Sequence, residues 1–117
     1  MAKHLESGKY GEQLATRYLE GQGYSILFVN WRYKRWEIDI VAKERDVLVF
    51  VEVKSRSMTS FGEPVDFVDQ KKRQHLQEAA ENFIEQQEYE GDIRFDIVSV
   101  YLADGRVELI KDAFWND

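Results

Sequence analysis

Residues 36–56, WEIDIVAKERDVLVFVEVKSR, hold two apolar runs of strand length joined by a short polar turn at 44–46. Two such runs, rich in Val and Ile and split by a tight turn, read as a β-hairpin. Glu37, Asp39, Glu52 and Lys54 sit inside these runs, where a core strand carries Val or Leu. A charge inside an apolar strand is costly unless it is paired, hydrogen-bonded or bound to a metal. Any fold this chain adopts must give those four groups partners.

The hydrophobic pattern selects one register. With Glu44 paired to Val47 across the turn, Ile38 faces Val53, Ile40 faces Val51 and Ala42 faces Val49, so one face is wholly aliphatic. The other face then opposes Asp39 to Glu52 and Glu37 to Lys54, beside Val41 and Phe50. A slip of one residue sets Asp39 against Val51 and mixes charge into the aliphatic face, and a buried face specifies register strongly against such slips. Two carboxylates side by side repel unless a cation lies between them. Lys54 offers one positive charge. A pair of converging carboxylates is also a hard-oxygen site suited to Mg²⁺, which binds one or two carboxylates together with waters and substrate phosphate. A salt-bridge ladder at the sheet end accounts for a Lys–Glu pair, but less well for three acids around one lysine.

The rest of the chain reads as α/β. Residues 7–20 form a helix with Leu14, Ala15, Tyr18 and Leu19 on one face, ended by Gly21 and Gly23. Residues 24–31, 36–43 and 47–54 read as strands, and 57–64, with Gly62 and Pro64, as a loop. A long helix spans 66–87, with an acidic start at Asp66 and Asp69 and a buried stripe of Val68, Leu76, Ala79, Ala80, Phe83 and Ile84. Residues 93–102 and 106–110 close the chain as a hairpin around Asp104–Gly105. The order α-β-β-β-α-β-β predicts a mixed central sheet flanked by helices. At 117 residues, a single domain over 1–117 is expected. The absence of Cys excludes disulfides, thiolate metal sites and thiol nucleophiles. The first residues lack the apolar segment of a signal peptide and no run reaches membrane-spanning length, so a cytoplasmic location without membrane contact is expected. A net charge of −6 argues against coating nucleic acid by charge alone. The basic residues are nevertheless clustered: Arg32, Lys34 and Arg35 alternate with Trp31, Tyr33 and Trp36, and further groups lie at 54–56 and 71–73.

Five segments together carry a resemblance: GEQLATRYLEGQGYSILFVNWR (11–32), EIDIVA (37–42), VFVEVKSR (49–56), FGEPVDFVDQKKRQHLQEAA (61–80) and RFDIVSV (94–100). In this order they resemble the YraN family of small bacterial proteins. That family is similar to the archaeal Holliday junction resolvases and the wider restriction-endonuclease-like superfamily, whose signature is an Asp followed by Glu-x-Lys. The resemblance implies a restriction-endonuclease-like fold and a Mg²⁺- or Mn²⁺-dependent endonuclease acting on branched or structured DNA. It implies that Asp39 and Glu52 are metal-binding carboxylates, with the Val53 carbonyl as a further ligand. Lys54 matches the lysine that orients or deprotonates the attacking water. Glu12 matches an acid brought to the site from the first helix, and Glu37 an acid supporting the metal ligands. Lys71 falls where related enzymes present a polar side chain to the site or the phosphate. Trp36 stands where the family often has Gly, and an indole there narrows the cleft or stacks on a base. Resolvase-like relatives act as dimers, which makes a homodimer the expected assembly. Phe114, Trp115, Trp31, Tyr33 and Trp36 are its candidate contact residues.

Other residues have plainer readings. His4 and His75 lack partner spacing for a metal. Asp96, on an interior strand, reads as a structural hydrogen-bond acceptor. The run 31–36 suits nucleic-acid contact through Arg32, Lys34 and Arg35, with Arg56 nearby in sequence to the lysine motif. A hairpin surface or a dimer contact has the same composition. Two functional classes follow: a metal-dependent endonuclease of branched DNA, and a DNA-binding or repair-associated module that keeps the fold with a weakened site.

Overall fold

The computed structural model describes residues 2–56 and 70–114, with side chains from residue 8 onward. The elements run α1 (Ala2–Gly21), β1 (Ser25–Tyr33), β2 (Trp36–Glu44), β3 (Val47–Arg56), α2 (Gln70–Gln87), β4 (Asp92–Tyr101) and β5 (Arg106–Ile110). The strands form one sheet in the order β1-β2-β3-β4-β5. All neighbours are antiparallel except β3 and β4, which run parallel from Val47↔Asp92 to Arg56↔Tyr101 and are linked through α2. The sheet is therefore mixed, in the expected order, and compatible with a restriction-endonuclease-like fold. The loop expected at 57–64, and Asp66, Val68 and Asp69 at the start of the long helix, lie outside the described residues, as does the side chain of His4.

Helix α1 begins earlier than the expected residue 7, and residues 2–6 contain no helix breaker. It ends where Gly23 takes a left-handed φ of 97°, which glycine adopts without Cβ strain. The Tyr24 N–H then donates to the Leu19 carbonyl at 2.9 Å and turns the chain into β1.

Period-2 alternation divides the core between the two helices. Ile40, Ala42, Val49, Val51, Val98 and Val100 pack with Ala15, Leu19 and Tyr24 on the α1 side. Val41, Leu48, Phe50, Phe95 and Ile97 pack with Leu76, Ala79, Ala80 and Phe83 of α2 on the other. Gly11 lets α1 cross close to β3, since a Cβ there collides with Ser55 Oγ.

The hairpin register agrees with the hydrophobic pattern from Glu44↔Val47 through Ala42↔Val49 to Ile40↔Val51. Beyond that point the expected pairs Asp39–Glu52, Ile38–Val53 and Glu37–Lys54 do not form. Strand β2 stays with β1, through Trp31↔Ile38, Arg32↔Glu37 and Tyr33↔Trp36, while β3 stays with β4. The two halves of the sheet peel apart. Asn30, at φ 57°, sits at the interruption between Val29↔Ile40 and Trp31↔Ile38. Ile38 consequently packs with the α2 cluster rather than on the aliphatic face shared by Ile40 and Ala42.

Asp96 has the structural role expected of it. It is fully buried and accepts the Tyr24 hydroxyl at 2.8 Å, the Asp112 N–H at 3.0 Å, and Arg94 through Nε at 2.8 Å and Nη2 at 2.9 Å. Arg94 reaches on to Glu44 Oε1 at 2.8 Å. Burial and then the Asp96 carboxylate push the Tyr24 hydroxyl pKa up, and the hydrogen bond to Asp96 raises that of Arg94. Asp96→Ala takes the acceptor from the buried Tyr24 hydroxyl and one of two carboxylates from Arg94, and should cost about 3 kcal/mol. Urea unfolding checks this, and a loss below about 1 kcal/mol would mean that the network does not hold the fold.

Candidate functional site

Where β2 and β3 part, the Val53 N–H loses its ladder acceptor. The Asp39 carboxylate replaces it, accepting that N–H through Oδ2 at 2.8 Å. This bond draws Asp39 into the gap, within electrostatic reach of Glu52. Burial, and then the charge of Glu52, push the Asp39 carboxyl up to about 8. The Val53 hydrogen bond and the Lys72 ammonium oppose that rise, and Glu12 adds slightly to it.

Glu52 follows Leu48 and Phe50 on the α2 face of β3 and is 3% exposed. Its Oε2 takes the Lys72 ammonium from α2 at 2.7 Å. Its Oε1 is buried and, among the described residues, has no hydrogen-bond partner. Its partner Lys72 and its neighbour Asp39 line a cleft of about 300 Å³ together with Arg35, Trp36, Glu37, His75 and Leu76.

The resemblance-derived residues fall into three groups. Asp39, Glu52 and the backbone of Val53 converge at the strand divergence. Lys54 is half-buried two residues farther along β3, beside Ser99 in the parallel register, and among the described residues it makes no ion pair. Glu37 lines the same cleft and pairs with Arg32 at 3.5 Å. Glu12 lies near enough to act on Asp39 electrostatically, but its carboxylate accepts Asn30 Nδ2 at 3.1 Å. Lys71 is exposed and Arg56 half-buried at the end of β3. Lys34 and Arg35 are exposed in the β1–β2 turn, and of the basic run only Arg35 lines the cleft.

The lysine that does reach Glu52 is Lys72, which the sequence reading passed over. A signal was present: Lys72 lies four residues before Leu76, on the stripe of Leu76, Ala79, Ala80 and Phe83, whereas Lys71 lies off it. The aromatic residues are also placed differently. Trp36 stacks on His75 with ring centroids 3.4 Å apart, so its indole forms the cleft wall rather than a free platform. Trp31 packs edge-on against Phe83 at 5.2 Å and Phe114 stacks on Phe95 at 5.0 Å. Tyr33 also packs against the α2-side core. Of the candidate dimer-contact residues, then, these four pack within the fold, and Trp115 lies outside the described residues. Among the described residues, the large apolar side chains that are exposed are Tyr10, Leu27, Phe28 and Val29.

The donor set fits a small divalent cation. It offers two carboxylates, one with an unpartnered buried oxygen, and its oxygens are hard. Among the described residues no group of three His, Cys, Asp or Glu comes together, and those residues bring two carboxylates to this point. That number suffices for Mg²⁺, which keeps several waters.

A folded-state pKa near 8 against an ordinary 3.8 means that the folded protein holds the Asp39 proton more tightly than the unfolded chain. Stability from this group is therefore fully present below pH 3.8 and is lost as the pH rises through about 8. In chelator, urea midpoints of the wild type should fall across that window, and those of Asp39→Asn should fall less. Parallel profiles would show that Asp39 is not held in this environment.

Comparison with known proteins places the chain in context. Residues 11–100 match the model of the uncharacterised protein family UPF0102. The chain is 42% identical over 118 residues to a UPF0102 protein of Flavobacterium psychrophilum, covering 99% of both chains. It is 43% identical over 117 residues to one of Bacteroides thetaiotaomicron, covering 98% of this chain and 97% of the relative. A UPF0102 protein of Clostridioides difficile is 44% identical over 110 residues, covering 93% of this chain and 96% of its own length.

Proposed function

We propose that this chain, which belongs to the uncharacterised protein family UPF0102 (the YraN family expected from its motifs), is a Mg²⁺- or Mn²⁺-dependent endonuclease of branched or structured DNA. The observation that carries this reading is Asp39 within electrostatic reach of a buried Glu52 whose Oε1 has no partner among the described residues, with Asp39 lining a cleft flanked by Arg35 and Lys72. Asp39 and Glu52, with the Val53 carbonyl, would hold the cation, which stabilises negative charge building on a phosphate and lowers the pKa of bound water.

The protein's own groups have separate tasks. The Val53 N–H fixes the orientation of Asp39. Lys54 orients the attacking water, whose oxygen bonds to phosphorus as a bridging ester oxygen leaves with a proton. Glu37 restrains Arg32 beside the cleft. Arg35 and Arg32 contact the phosphate backbone, with Lys34 and Arg56 at the flanks, and Lys71 offers a further charge on α2. Glu12 braces Asn30 at the strand interruption rather than joining the carboxylate pair. Among the described residues no helix is long and apolar enough to cross a membrane.

Cleavage of four-way, duplex and single-stranded DNA in Mg²⁺ and Mn²⁺ tests the reading. Asp39→Asn, Glu52→Gln and Lys54→Ala should each slow cleavage by roughly a hundred-fold or more. The two carboxylate variants should also weaken divalent-cation binding in calorimetry. DNA binding with no cleavage under any divalent cation would favour the non-catalytic module instead. A four-way junction presents two symmetry-related strands, so two copies should assemble on it. Sedimentation showing only monomer, free and on a junction, would remove the dimer from this reading and leave the chemistry intact.

A further inference from the structure

The Glu52–Lys72 pair is unequal. The carboxylate side chain is 4% exposed and fixed in the sheet, whereas the lysine side chain is 48% exposed. A carboxylate this buried requires a positive charge beside it, since an unpaired buried charge is among the costliest features a fold can carry. The lysine is on the open side of the contact: half of its side chain faces solvent on α2, so moving it outward desolvates nothing. Lys72 is thus a removable cover over a fixed anion, and it lines the same cleft as Asp39.

Building on the metal reading above, we infer that Lys72 stands in for the divalent cation at Glu52 and is displaced when the cation binds. The charges require an exchange. Two carboxylates balance one divalent ion, and an ammonium 2.7 Å from one of them is then a surplus like charge that is repelled toward solvent. Lys72 is in this sense a positioning residue. It keeps Glu52 in place for the cation and lowers the cation's apparent affinity by competing with it. One contact would thus both order the site before a cation arrives and weaken cation binding by the protein alone.

Removing the competitor tests this. Mn²⁺ binding to the full chain is measured by calorimetry for the wild type, Lys72→Gln and Lys71→Gln. Lys71 is exposed on the same helix, so its replacement changes net charge equally without touching Glu52. Lys72→Gln should bind Mn²⁺ on the order of ten-fold more tightly than the wild type, as expected from losing a charged hydrogen bond that competes for the carboxylate. Lys71→Gln should gain far less. Equal gains in the two variants, or weaker binding by Lys72→Gln, would overturn the inference. Should Lys72→Gln fail to fold, NMR of the wild type decides. The Lys72 side-chain signals must shift on Mg²⁺ addition together with the Asp39 and Glu52 carboxyl signals, and carboxyl shifts without a Lys72 shift would refute the exchange. Loss of the metal reading is distinguishable: it appears as no Mn²⁺ binding to the wild type or to Lys72→Gln, and it removes both conclusions. Binding that is indifferent to Lys72 removes this one alone.

Discussion

The hydrogen bond from the Val53 N–H to the Asp39 carboxylate is the contact on which the rest of this structure turns. A backbone amide in a partly buried strand must have an acceptor. Through Ile40↔Val51 the sheet supplies it, and beyond that pair Asp39 does so in place of the β2 backbone. This substitution lets β2 follow β1 while β3 follows β4, which opens the sheet without leaving that amide unsatisfied. The gap becomes a cleft because Trp36 and His75 stack across its wall and α2 closes over one side.

The same bond has an electrostatic cost. It sets a carboxylate in a desolvated position next to a second one, and the Asp39 proton is held accordingly. Elsewhere in the sheet a second buried acid is fully partnered. On the α1 face, Asp96 is buried completely, yet it has Tyr24, Arg94 and the Asp112 N–H as donors. On the α2 face, Glu52 has one partner on one oxygen. Two buried acids on opposite faces of adjacent strands thus have opposite characters. One is saturated and stabilises the fold, and the other keeps an open valence.

Helix α1 shows how far local packing reaches into the site. Gly11 permits the close approach to Ser55, and the adjacent Glu12 then meets Asn30 at the interruption of β1. Glu12 therefore acts on Asp39 through space and through the strand geometry. On α2, one helical position separates a lysine on the carboxylate from a lysine in solvent.

The sequence by itself determined the element order, the turn-proximal register of the central hairpin and the partition of its apolar residues. Those follow from period-2 and period-3.6 patterns, which depend on neighbours along the chain. It also marked Asp39 and Glu52, because charges within apolar strands stand out against any core pattern. Only the tertiary structure decided where the hairpin stops being a hairpin. Ladder continuity depends on which strand each partner also serves on its far edge, and that is fixed by β1 and β4, which lie outside the hairpin itself. For the same reason Lys72 rather than Lys71 meets Glu52, Ile38 crosses to the α2 face, and Trp31, Trp36 and Phe114 become packing elements rather than surface. Pattern along a chain assigns a residue to a face, and the approach of distant elements then decides what that face meets.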